Sequence, residues 1–216
     1  MLTGLLGGSF NPAHIGHRRI TQFSIDRLGL DEAWWLVSPG NPLKPRKGMA
    51  PIGARLKSAR VQARRARIVP TAIEGQLGTR YTVETLRNLK DRYPKRQFVW
   101  LMGSDNLAQF HRWKGWRDIA RLVPIAVIAR PGYNAEAMTS PAMAWLRRYR
   151  VSAASISKKR GTLHRSAPAL VFMRFDPDSS SATAIRRDNA DWALQYRDAA
   201  VRDPLTFRLV KGDHSS

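Results

Sequence analysis

Short apolar runs, each followed by a loop, constrain this chain most. Leu2 to Leu6, Ala33 to Val37, Gln97 to Met102, Pro124 to Ala129 and Leu170 to Phe175 are brief and nearly all apolar, as strands buried on both faces are. Arg67 to Ile73 is a weaker run of the same kind. Between the runs the apolar period lengthens to that of a helix. Ile15 to Leu28 carries Ile20, Phe23, Ile25 and Leu28, with Gly29 placed to end it. Pro51 to about Ala66 turns Ile52, Leu56, Ala59 and Ala63 inward and Arg55, Lys57, Arg60, Arg64 and Arg65 mostly outward. Thr82 to Arg92, Trp116 to Leu122, Ala137 to Tyr149 and a short segment from about Ala182 complete the set. Strand alternating with helix predicts an α/β fold, a Rossmann-like doubly wound parallel sheet of five or six strands in a single domain, with ligands at the carboxyl ends of the strands. That domain spans residues 1–210, with a patternless basic insertion at about 150–167 expected to be mobile and a frayed tail at 211–216.

The loop after the first run, Gly7-Gly8-Ser9-Phe10-Asn11-Pro12-Ala13-His14-Ile15-Gly16-His17, is the richest in chemistry. Its glycines let a ligand approach the backbone, Asn11 reads as a helix N-cap and Pro12 as the first helical residue. His14 and His17 then fall in the first turn, three apart on one face, beside backbone N–H groups with no helical partner. Paired imidazoles at a helix N-terminus suit phosphate. The loop has neither the Gly-x-Gly-x-x-Gly of dinucleotide folds nor the Gly-Lys-Ser/Thr of a P-loop.

Charge points the same way. Lys and Arg number 37 against 16 acidic residues, a formal net charge of +21, which favours nucleotides or nucleic acid, although most of these arginines are expected on a solvated face. With no cysteine, disulfides and thiolate metal sites are excluded, and a reducing cytoplasm is the natural setting. No apolar run is long enough for a bilayer span, so no membrane partner is expected.

Loops around Ser9, Pro39, Ser104 and Ser181 each follow a predicted strand and so converge on one edge of the sheet. In Ser181-Ala182-Thr183-Ala184-Ile185-Arg186, the hydroxyls suit a helix cap, and Arg186 offers a planar fork of donors to phosphate oxygens. The opening loop resembles the His-x-Gly-His signature of the nucleotidyltransferase superfamily, shared with class I aminoacyl-tRNA synthetases. Together with Tyr81-Thr82-Val83-Glu84-Thr85-Leu86, Gly103-Ser104-Asp105-Asn106-Leu107 with Trp113 beyond it, and Ser181 to Arg186, it resembles the bacterial nicotinate-nucleotide adenylyltransferases over residues 1 to about 190.

The resemblance implies transfer of AMP from ATP to nicotinate mononucleotide, giving nicotinate adenine dinucleotide and pyrophosphate in NAD biosynthesis. Catalytic roles fall to His14, His17, Lys44 and Arg186. ATP is held by Gly8, Ser9, Phe10, His14, Gly16, His17, Asp105, Ser181, Thr183 and Arg186, and arrives with Mg2+. The nicotinate nucleotide is held by Lys44, Tyr81, Thr82 and Trp113. Asp105 has a second reading as an N-cap, and Trp116 competes with Trp113 for the pyridine ring. Other phosphate acceptors (nicotinamide mononucleotide or pantetheine phosphate) are the alternative substrates, and a basic nucleic-acid-binding protein on the same fold is the alternative class. Nonspecific polyanion binding and a homo-oligomer are left open.

Overall fold

A computed structural model describes residues 1–40, 48–129, 134–156, 158–159, 162–163, 167–175, 182–196 and 200–211. Its centre is a parallel sheet of β1 (Leu2–Gly8), β2 (Glu32–Val37), β3 (Ile68–Thr71), β4 (Gln97–Gly103), β5 (Ile125–Ile128) and a last strand, β8 (Leu170–Met173). Two short strands intervene in the chain, β6 (Lys158–Lys159) and β7 (Thr162–Leu163), which pair with each other. The sheet order is β3-β2-β1-β4-β5-β8, every neighbour parallel. Chain direction across the sheet reverses between β1 and β4, and such a switch point opens a crevice at the strands' carboxyl ends.

Because successive strand residues face opposite ways, each strand feeds two cores. Leu2, Leu6, Trp35, Val37, Val99 and Leu101 join one; Leu5, Trp34, Leu36, Phe98, Trp100 and Met102 join the other. Helices α1 (Ile15–Leu28) and α2 (Ile52–Ala63) cover the first face with Ile20, Ile25, Leu28, Leu56 and Ala59. The second is covered by α4 (Thr82–Arg92), α5 (Ser104–Gln109), α6 (Trp116–Leu122) and α8 (Pro141–Leu146), through Leu86, Leu89, Leu107, Ile119 and Leu146. The sheet is thus doubly wound, as the sequence predicts. No helix among the described residues is long and apolar enough to cross a membrane.

Several local expectations need correction. Helix α1 starts at Ile15 with His14 as its N-cap, and ends on Gly29 in the left-handed region, φ +60°. Asn11 is not the cap: its amide donates to Gly48 O at 2.9 Å and its Oδ1 accepts Ala50 N–H at 3.1 Å, tying the loop to the approach to α2. Arg55, assigned outward, is only 2% exposed. The single helix predicted over 137–149 is α7 (Asn134–Thr139), α8 and a 3-10 turn at Arg147–Tyr149. The break falls at Ser140, whose hydroxyl accepts Met143 N–H at 3.1 Å, with Pro141 opening α8. Within the basic stretch, Ala153–Ile156 forms α9 and buries Ile156 completely. Features with no counterpart in the sequence reading include α3 (Ile73–Leu77) and the hairpin of β9 (Val201–Arg202) and β10 (Leu209–Val210). Asp203, fully buried, anchors that hairpin to the end of β3 by accepting the Thr71 hydroxyl at 2.9 Å and Ala72 N–H at 2.6 Å.

Candidate active site

The loop from β1 to α1 is shaped by what lies beneath it. A Cβ on Gly7 would meet the Trp100 ring at 2.8 Å, so only glycine lets β1 cross that indole. Phe10 sits at φ +47°, a region costly to a bulky residue, and its buried ring lies nearly parallel to Trp35 with centroids 5.0 Å apart. Its ring therefore belongs to the core, while Ser9 beside it is exposed.

His14 and His17 meet with ring centroids 3.8 Å apart. Nδ1 of His17 accepts the His14 backbone N–H at 3.2 Å. A ring nitrogen that accepts carries no proton, so the neutral imidazole bears its proton on Nε2 and offers a donor there. Gly16 is buried in the same turn. Beneath, the His17 carbonyl accepts the Thr21 hydroxyl at 2.7 Å, and Thr21 Oγ1 accepts the Trp35 indole N–H at 2.9 Å. His17 is thus held from both sides of its peptide.

The segment after β8 reaches the same loop. In α10 (Ala182–Asp188), Arg186 donates to Asn11 O at 2.6 Å and to Thr183 Oγ1 at 3.2 Å. A side chain 175 positions from Asn11 is thereby docked on the first motif. Lys44 and Ser181 lie outside the described residues.

Across the switch point, β4 ends in Gly103, which is itself the N-cap of α5; Asp105 falls in the first turn, so its N-cap reading is not realised. Tyr81 is the N-cap of α4, which places Thr82 and Val83 N–H groups at that helix's open end. Lys114 joins this segment to the next, lying 4.2 Å from the Tyr81 ring centroid and 2.9 Å from the Glu84 carboxylate, which it holds below the usual carboxylate range. Trp113, half-buried, packs edge to face on Trp100 and Phe110, at 6.2 and 5.4 Å. Trp116 turns away toward Trp145, with Arg117 stacked 4.6 Å from its ring. Of the two indoles, only Trp113 touches the ring under the glycine loop.

Two residues escaped sequence reasoning. Arg55 donates to Ser9 O, Ser38 O and Ala50 O at 2.8, 2.7 and 2.8 Å. Glu74 accepts the Thr85 hydroxyl at 3.1 Å, and burial pushes its carboxyl up to about 7 against the opposing pull of Thr85 and Ser38. Neither has a local signal beyond being a charge on an amphipathic or short segment, since their partners are distant in sequence.

A parallel α/β sheet whose glycine loop, imidazole pair and arginine fork meet at the switch point is the nucleotide-binding class of that fold. The chain belongs to the cytidylyltransferase-like family, whose model matches residues 5–188. Within it, the chain falls among the nicotinate-nucleotide adenylyltransferases. It is 65% identical over 211 residues to the probable nicotinate-nucleotide adenylyltransferase of Erythrobacter litoralis, covering 98% of this chain and 95% of that one. The protein of the same name from Cereibacter sphaeroides is 52% identical over 186 residues, 86% of this chain and 97% of the relative. The fold matches that of the Plasmodium falciparum nicotinic acid mononucleotide adenylyltransferase complexed with NaAD, with a TM-score of 0.61 at 13% identity, over 86% of this chain and 82% of the other.

Proposed function

We propose that this enzyme transfers the AMP part of ATP to nicotinate mononucleotide, forming nicotinate adenine dinucleotide and releasing pyrophosphate. The reading is carried by the 65% identity to a relative of that name across 98% of the chain. An oxygen of the acceptor phosphate attacks the α-phosphorus of ATP, and the bond from that phosphorus to the β-phosphate oxygen breaks. The attacking group is already an anion, so no general base is required. The protein's task is to align two anions and neutralise the phosphate in transfer.

The residues are suited to that task. Nε2–H of His17 and the guanidinium of Arg186 supply donors on either side of the loop, while backbone N–H groups of the Ser9–Phe10 segment supply more. His14 caps the helix and supports His17. Thr183 steadies Arg186, and Gly16 admits the nucleoside close to the backbone. Magnesium enters with ATP as part of the substrate. On the acceptor side, Trp113 offers an aromatic edge to the pyridine ring, and the open N-terminus of α4 at Tyr81 and Thr82 favours the nicotinate carboxylate. Asp105, Lys44 and Ser181 complete the set expected from the sequence. A cytoplasmic setting belongs to the same reading.

The test is product identity. With magnesium, α-labelled ATP and nicotinate mononucleotide, label should appear in nicotinate adenine dinucleotide in one-to-one ratio with released pyrophosphate. Release of pyrophosphate without labelled dinucleotide would reject the assignment.

A further inference from the structure

Arg55 is the costliest side chain near the site to bury. A guanidinium cannot shed its charge, and removing one from water is unfavourable unless its donors are met. An apolar side chain would carry no such cost. At 2% exposure, Arg55 sits beneath the crevice and reaches three loops that share no secondary structure: Ser9 after β1, Ser38 after β2 and Ala50 before α2. Ser38 N–H also donates to Gly8 O at 3.0 Å, so the ends of β1 and β2 are joined twice.

The bond to Ser9 O has a consequence on the other side of the peptide. The Ser9–Phe10 bond is trans, so its C=O and N–H point in opposite directions. Drawing the carbonyl down toward Arg55 turns the Phe10 N–H up, away from the core. Phe10 holds a left-handed backbone, φ +47°, with its ring fixed on Trp35, so the peptide is clamped at both ends. An unclamped loop would lose this conformation to commoner ones.

We propose that Arg55 is a positioning residue, which aims the Phe10 N–H at the ATP phosphates and keeps the loop after β2 in register with it. This rests on the adenylyltransferase reading above. Arg55 touches no substrate; it acts through the Ser9–Phe10 peptide.

The experiment compares Arg55→Lys and Arg55→Ala with the unaltered enzyme, measuring kcat, both KM values and Tm on the same preparations, with activity expressed per folded molecule. A misplacement of the order of an ångström in a preorganised donor costs about 10²-fold in rate, which is the loss in kcat expected of Arg55→Ala. The Lys variant should also fall, because one ammonium cannot span three carbonyls. Guanidinium ion at concentrations that leave Tm unchanged should restore part of kcat to Arg55→Ala and none to Arg55→Lys, whose ammonium occupies the space. Should Arg55→Ala fail to fold, the Lys variant decides by its kcat. Variants with lowered Tm but unaltered kcat per folded molecule would overturn the proposal. An unaltered enzyme inactive on nicotinate mononucleotide would instead indict the functional reading.

Discussion

Nδ1 of His17 accepts the backbone N–H of His14 at 3.2 Å, so one imidazole both closes the start of α1 and, when neutral, carries its proton on Nε2. Two replacements separate these tasks. Asn carries an acceptor near the Nδ1 position, and Gln reaches toward Nε2. His17→Asn should keep Tm within a few degrees yet lose turnover as deeply as His17→Ala, by about 10²–10³-fold if the donor acts as an oxyanion donor does. His17→Gln should retain more turnover than either. Full activity in His17→Ala, with only a lowered Tm, would reduce His17 to a cap.

Glu74 makes stability depend on pH. Below about 4.5 its carboxyl is protonated in both folded and unfolded chains; as pH rises, the unfolded chain ionises first, while the native group holds its proton up to about 7. The native state therefore binds more protons across that window, and stability falls as pH rises through it, by about 3 kcal/mol. Glu74→Gln keeps an acceptor for Thr85 and should remove this loss. Denaturant midpoints at pH 5 and pH 8 test it: the difference between the two should shrink in the variant, and an unchanged difference would contradict the assignment.

Lys114 bridges the segments that carry Trp113 and Tyr81, proposed above for the acceptor, through contacts with Tyr81 and Glu84. Lys114→Met should raise KM for nicotinate mononucleotide while leaving KM for ATP and Tm nearly unchanged, since exposed ion pairs add little to stability. Equal changes in both KM values would argue against a role confined to the acceptor.

Some of the positive charge lies around a cluster of aromatic rings. Arg117 lies over Trp116, and Arg121 and Arg148 lie 5.8 and 5.7 Å from Trp145, whose ring meets Trp116 and Tyr149. Aromatic rings interleaved with arginines suit single-stranded nucleic acid. Replacing Arg117, Arg121 and Arg148 by Gln should lower the salt dependence of oligonucleotide binding and leave turnover unchanged. Unaltered binding, or none in the unaltered protein, would reject a nucleic-acid role for this cluster.

What could be read from the sequence was whatever a local pattern encodes. Helices at Thr82–Arg92 and Trp116–Leu122 have the predicted bounds, because their apolar stripes are short and clean. The strand ends converge because alternation of strand and helix leaves few topologies. Arg55 was misplaced for the opposite reason. A helical period assigns arginine outward, and its partners Ser9 and Ser38 lie 46 and 17 residues away. Asn11 looked like a cap because capping is local, but its bonds go to Gly48 and Ala50, across the fold. The break before Pro141 did carry a signal, a Ser-Pro pair within a helical pattern. Asp203 carried none, since nothing near it in sequence announces Thr71.

In the proposed function this site joins ATP to an acceptor with a negatively charged pyridine carboxylate. Specificity constants measured side by side with nicotinate mononucleotide, nicotinamide mononucleotide and pantetheine phosphate test it most directly. Hydrogen bonds from the α4 terminus to a charged carboxylate predict a preference for the nicotinate form of about 10- to 150-fold over the amide, equivalent to about 1.5–3 kcal/mol. No turnover of pantetheine phosphate is expected. Equal constants for the acid and the amide would remove the carboxylate contact, and activity on pantetheine phosphate alone would reject nicotinate mononucleotide as the acceptor.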